Sequence, residues 1–280
     1  MNDDTYLLAG HWVHRVGFGA MQLPGPPASG PPRDRLESLD VLRHAVAEGV
    51  NHIDTAQFYG PDVANELIHA ALYPYPEELV LVSKVGARRD SDGIHEAQRP
   101  KQLREGVLAN LESLQLDQVP VVNLRRHPEA GVPFGEQVAA MVAMRDEGLI
   151  GAVGLSNVTF EEYRTAQAIT EVACVQNAYN LADRSDQALL DACAADGVAY
   201  VPFFPLGSAF HPGKPVLTAP AVVATADRLG ATTAQVALAW LLQRSPNLLL
   251  IPGTSSLTHL RENLAAAELE LDARAIDAIA

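Results

Sequence analysis

The run LDVLRHAVAEGVNHID, Leu39–Asp54, carries the pattern on which the fold turns. Leu39, Leu42 and Val46 recur at helical spacing and line one face, Gly49 supplies the stop, and Val50–Asp54 follows as a short β-prone run. The same succession returns with Val138, Met141, Val142 and Arg145 ahead of Gly148 and the apolar run Leu149–Leu155. It returns again with Ser185 as N-cap, Leu189, Ala192 and Cys193 on the buried face, Gly197 as the stop and Val198–Phe203 as the strand.

Working outward, the remaining apolar runs complete a set of eight expected strands. They lie near Arg15–Gly19, Asn51–Asp54, Leu79–Val85, Val121–Arg125, Ala152–Ser156, Ala173–Gln176, Ala199–Phe203 and Leu248–Ile251, with helices between them. Eight βα alternations in 280 residues predict an α/β fold, a closed (β/α)8 TIM barrel, as one domain over residues 1–280. An open doubly wound sheet is the competing arrangement, because periodicity does not itself show closure. Tyr6–His14, with Ala9-Gly10 between apolar residues, reads as an N-terminal β-hairpin capping the barrel bottom. The Pro- and Gly-rich stretch Leu23–Pro32 reads as a loop.

Composition narrows the partners. Lys plus Arg is 20 against 34 Asp plus Glu, a net charge of −14, which argues against a nucleic-acid partner. The opening Met1–Ala20 carries Asp3 and Asp4 and no apolar run ahead of a small-residue cleavage site, and Val236–Leu242 is too short to span a bilayer, so no membrane association is expected. The two cysteines, Cys174 and Cys193, have no metal-ligand spacing and read as buried apolar residues; a cytoplasmic location and no metal are expected. His11 and His14 read as hairpin surface.

In a barrel the working residues stand where strands end and βα loops begin. That rule selects Asp54, Lys84, His127, Ser156, Asn157, Gln176, Phe203 and Gly253, with Tyr59 in the loop after Asp54. A tyrosine donates a proton poorly at neutral pH, but an ammonium about 4 Å away at an effective dielectric near 20 contributes on the order of 4 kcal/mol, or roughly three pKa units. Lys84 is therefore expected to bring Tyr59 near working pH, Asp54 to hold Lys84 charged, and His127 to orient a substrate carbonyl.

The segments His52–Gly60, Val82–Val85, Ile150–Asn157, Val175–Asn180 and Ile251–Asn263 resemble the aldo-keto reductase family over essentially the whole chain. Val201–Gly207 and Gln235–Leu264 are most similar to a bacterial branch that contains pyridoxal reductases. The resemblance implies reduction of a small aldehyde or ketone to an alcohol by hydride from NADP(H), with Tyr59 as general acid and Asp54, Lys84 and His127 completing a catalytic tetrad. It implies that Ser156, Asn157 and Gln176 hold the nicotinamide carboxamide and that Phe203 stacks on the ring. It further implies that the cofactor is lined by Gly19, Ala20, Pro205, Leu206 and Gly207, and that Gly253, Thr254, Ser255, His259, Glu262 and Asn263 form the adenosine-phosphate end at a helix N-terminus. Many relatives carry Lys where Gly253 stands and Arg where His259 stands, which keeps NAD(H) open beside NADP(H). Thr254, Ser255, Ser256, His259 and Arg261 are the residues that would substitute.

Plainer readings stand beside these. Ser156-Asn157 also suits the N-cap of the helix that follows, and Arg125 and Arg126 either ring the barrel mouth or attract an anionic substrate. Thr232 and Gln235 form a capping box for a helix whose core includes Trp240. Two other functions compete: a non-catalytic nicotinamide-binding regulatory barrel, and a lyase or isomerase acting through a Schiff base on Lys84. A monomer or small homo-oligomer is expected.

Overall fold

Ala9 and Gly10 both take positive φ, 49° and 87°, the geometry a tight two-residue hairpin turn requires. They join β1 (Thr5–Leu8) to antiparallel β2 (His11–His14). Leu8 and Val13 on this hairpin are buried among Val80, Val82, Val121 and Leu249 of the barrel interior, so the hairpin closes the bottom as expected. The computed structural model describes residues 4–128, 131–207 and 216–279; Met1, Asp3 and Ala280 lie outside the described residues.

The barrel strands follow in chain order: β3 (Phe18–Gly19), β4 (His52–Asp54) and β5 (Val80–Val85). A hairpin of β6 (Ala87–Asp90) and β7 (Gly93–Glu96) is inserted next. Then come β8 (Val119–Arg125), β9 (Ile150–Ser156), β10 (Cys174–Gln176) and β11 (Ala199–Tyr200). The seven barrel strands pair in parallel in the order β11-β10-β9-β8-β5-β4-β3. The eighth run closes the ring by isolated parallel bridges, Leu248 to Tyr200 on one side and Leu250 to Val16 on the other. It forms no regular strand because it changes partner within three residues. Arg15 reinforces the seam, donating to the carbonyls of Leu242 (2.5 Å), Ser245 (2.7 Å) and Leu248 (3.2 Å).

Two expectations shift in detail. The strand expected to reach Phe203 ends at Tyr200, since Pro202 and Pro205 have no N–H to give a ladder, although Phe203 still bridges Ala178. The helix Gln187–Asp196 has Asp186, not Ser185, at its N-cap position; the Ser185 hydroxyl instead donates to Asp183 at 2.7 Å.

Helices cover the outside. Asp34 caps Arg35–Ala47 by accepting from Leu36 N and Glu37 N, and Gly49 follows with φ 97°. Thr159 with Glu162 and Thr232 with Gln235 form reciprocal capping boxes on Phe160–Gln167 and Thr233–Arg244. The main outer core packs Val122, Leu124, Met141, Tyr163 and Trp240 between strands and helices. Both cysteines are buried and free, and burial pushes each thiol up to about 12. No helix among the described residues is long and apolar enough to cross a membrane.

Candidate active site

Side chains along a strand alternate between faces, and that phase positions the site. In β5, Val80 and Val82 lie in the barrel interior, so Lys84 emerges at the C-terminal end on the same face. Asp54, the last residue of β4, pairs in register with Val82. The Lys84 ammonium donates to the Asp54 carboxylate and, at 3.0 Å, to the Thr55 carbonyl, and both side chains are 5% exposed. A buried amide and hydroxyl network fixes the strand from behind. Thr55 donates to Asn65, Asn65 to Asn110 and Ser113, and Ser83 to Asn110.

Tyr59 closes over this pair, with the Lys84 nitrogen 5.1 Å from its ring centroid. Burial pushes the phenol above its usual range, and the opposing pull of Lys84 does not overcome it. Lys84 was expected to bring Tyr59 near neutral pH; the structure differs because desolvation of the phenolate outweighs one ammonium that Asp54 already partly neutralises. For Lys84 burial works against the charge, but Asp54 and Tyr59 together outweigh it and hold the ammonium above its usual range.

These residues open onto a cavity of about 420 Å³ at the C-terminal ends of the strands. Asp54, Tyr59, Lys84, Ser156 and Gln176 all lie on its wall. Thr159 caps the helix that follows β9, so the plainer capping role for Ser156 and Asn157 does not hold. Gln176 donates to Asp54 at 2.8 Å, tying the amide to the Lys84 pair. Asn157 takes positive φ, 58°, is exposed, and donates to the Arg126 carbonyl at 3.0 Å; it is absent from the cavity wall.

Phe203, Pro205, Leu206 and Gly207 line the next part of the wall, and Gly19 and Gly253 face each other across the seam between the first and last strands. A Cβ on Gly253 would sit 2.6 Å from the Gly19 carbonyl, and one on Gly19 would run into the Ile251 carbonyl, so the two backbones meet here at a distance that leaves no room for a side chain without a shift. Ala20 is fully buried behind the wall. Beyond Gly253, Thr254 accepts from Ser256 N at 3.0 Å, and Ser256 is the N-cap of Leu257–Ala265. Ser255 and His259 are exposed at that helix start, Glu262 is half-buried and Asn263 is buried. Arg261 is spent on Glu48 at 3.2 Å.

The fourth expected corner is where the structure departs from the sequence reading. His127 lies past the end of β8 and is not part of the cavity wall; Arg125 is. The alternation explains it. Val121 faces the interior and Val122 and Leu124 face the helices, so Arg125 is in phase with the mouth. Arg126 points outward to Glu162 at 2.7 Å and donates to the His127 carbonyl at 2.6 Å. Gln98 pins the turn by donating to the Arg125 carbonyl at 2.6 Å.

The sequence reading also missed the β6–β7 hairpin, whose paired residues Arg89 and Ile94 both face the cavity. Its turn, Asp90-Ser91-Asp92-Gly93, held the signal, an Asp-Gly pair between short alternating runs. Met21 and Gln22 on the same wall gave no sequence signal.

Residues 15–280 match the model of the Aldo/keto reductase family. The chain is 51% identical over 277 residues to a pyridoxine 4-dehydrogenase of Escherichia coli strain K12, covering 97% of this chain and 95% of that protein. It is 26% identical over 301 residues to an NADH-specific methylglyoxal reductase of the same strain, covering 92% and 91%. Among solved structures, an aldo/keto reductase from Klebsiella pneumoniae in complex with NADP and acetate superposes with a TM-score of 0.83 at 26% identity, covering 99% of this chain and 94% of that one.

Proposed function

The chain belongs to the aldo/keto reductase family and is an oxidoreductase, and from that premise we propose that it reduces a small aldehyde or ketone to the alcohol with NADP(H), Tyr59 giving the proton. The observation that carries the reading is the buried Asp54, Lys84 and Tyr59 group on one cavity wall. The pyridoxal and pyridoxine pair is the first substrate couple to test, given the 51% identity to a pyridoxine 4-dehydrogenase.

The donor set fits a nicotinamide dinucleotide. The Ser156 hydroxyl and the Gln176 amide suit a carboxamide, Phe203 offers a flat face, and the start of Leu257–Ala265 with Ser255 and His259 suits a phosphate. When bound, the cofactor supplies hydride. Tyr59 holds a proton at its phenol oxygen, next to the carbonyl oxygen that must receive one, and the Lys84 ammonium stabilises the charge left as the proton departs. Asp54 and Gln176 keep that ammonium in place. A Schiff base on Lys84 is disfavoured by the same contacts, because a lysine held charged by a buried carboxylate is a poor nucleophile. The proposed setting is a monomer or small homo-oligomer in the cytoplasm.

The test is absorbance of reduced nicotinamide with an aldehyde panel that includes pyridoxal, run with NADPH and with NADH. Tyr59→Phe should lower turnover by roughly 10²–10⁴-fold while NADPH affinity, read by fluorescence titration, stays within a few-fold. A variant retaining most of its turnover would remove the acid role, and NADPH binding without turnover of any aldehyde by the wild type would favour a regulatory barrel.

A further inference from the structure

Two arginines face the cavity, and among the described residues neither has a carboxylate partner. Arg125 comes from the end of β8 and Arg89 from the inserted hairpin. Among the described residues neither enters a salt bridge, although the chain has 34 acids to 20 bases and the neighbouring Arg88 and Arg126 pair with Asp90 and Glu162. Arg89 makes one long contact, 3.4 Å to the Pro27 carbonyl, and its Nε is buried with no partner. A guanidinium at a largely apolar wall costs desolvation unless an anion meets it. Its planar fork suits a carboxylate or similar oxyanion.

Position argues for substrate and not cofactor. Arg125 is two residues beyond Asn123, the register partner of Lys84, which places it roughly 7 Å further up the adjacent strand. Arg89 is five residues beyond Lys84 in the same connection. Both therefore stand on the Lys84 and Tyr59 side, while the residues suited to phosphate follow the closing run at the opposite part of the ring.

We propose that this cavity selects carbonyl compounds bearing an oxyanion substituent, a carboxylate or an ionised ring hydroxyl, and that Arg125, with Arg89 at the rim, binds that oxyanion. The proposal rests on the reductase reading above and names the substrate class for it. Arg125 is then a specificity-determining residue, and the strongly negative net charge of the chain is offset locally where an anion must enter.

The test compares kcat/KM for matched aldehydes. 4-Carboxybenzaldehyde is set against 4-formylbenzamide, and 3-hydroxypyridine-4-carboxaldehyde against pyridine-4-carboxaldehyde, so that the arms separate carboxylate from ring hydroxylate. Calorimetric titration of benzoate and benzamide into the NADPH-loaded protein runs alongside. The wild type should prefer at least one anionic member tenfold or more. Arg125→Gln should reduce that ratio at least tenfold, chiefly through KM, Arg89→Gln should reduce it less, and Arg125→Lys should restore part of it, with thermal melts verifying that each variant is folded. Ratios near one in the wild type, or equal losses on anionic and neutral members in Arg125→Gln, overturn the proposal while leaving the reductase reading intact. Absence of all turnover with Arg125-dependent benzoate binding would sink the reductase reading and sustain the anion site.

Discussion

At the scale of single residues, burial decides more than proximity. Tyr59 is pushed above its ordinary 10.0 because desolvation of the phenolate exceeds the pull of Lys84. A general acid must be protonated to work, so the rate of reduction should hold through the neutral range and decline only above pH 10. Lys84→Met should lower kcat and move that alkaline limb further up, since the opposing cation is gone; a limb between pH 7 and 8 in a kcat profile would contradict the assignment. His52, inside the barrel bottom, is held down to about 4 from 6.5 by burial and by nearby His14. Between those values the unfolded chain binds a proton that the folded chain refuses. Stability should therefore fall as pH drops from 6.5 toward 4, by on the order of 3 kcal/mol from this group. Urea melts of wild type and His52→Asn at pH 7 and pH 4.5 check it, and an equal pH loss in both would exclude His52 as the cause.

At the scale of elements, close approach of strands constrains the site from below. Gly154 in β9 is the register partner of Asn123, which in turn pairs with Lys84. A Cβ at Gly154 would collide with the Asn123 side-chain oxygen and lie 2.9 Å from the Cys174 sulfur. Gly154→Ala should cost about 1–3 kcal/mol by overpacking, read as a lower denaturation midpoint; an unchanged midpoint would mean that Asn123 can turn aside freely. The β6–β7 hairpin is too short to carry a hydrophobic period of its own, and it nevertheless shapes the cavity. Four residues per strand give little pattern, yet its register delivers Arg89 and Ile94 to the same face of the cavity.

At the scale of the whole molecule, the helix, glycine and strand succession from Leu39 to Asp54 and its repeats were legible because local spacing alone sets them. So were the hairpin plug, from the Ala9-Gly10 turn, and Asp54, Lys84, Ser156 and Gln176, because each stands at or near a strand end. Closure followed from the count of eight βα alternations but not from the periodicity of any one segment, since it is made by bridges from Leu248 and Leu250 to residues lying 48 and 234 positions away in sequence. Arg125 and Arg126 were both read as candidates for the barrel mouth, but which of them faces the cavity was not legible, although the alternation Val121, Asn123, Arg125 pointed to the first, because only packing shows where the strand stops and which arginine Glu162 takes. Sequence by itself determined the kinds of element, their order and the acid, base and cation types at the strand ends, which are properties of near neighbours. The tertiary structure alone decided which of those side chains meet, and whether burial or charge governs each, because distance and desolvation arise only when remote strands close around one space.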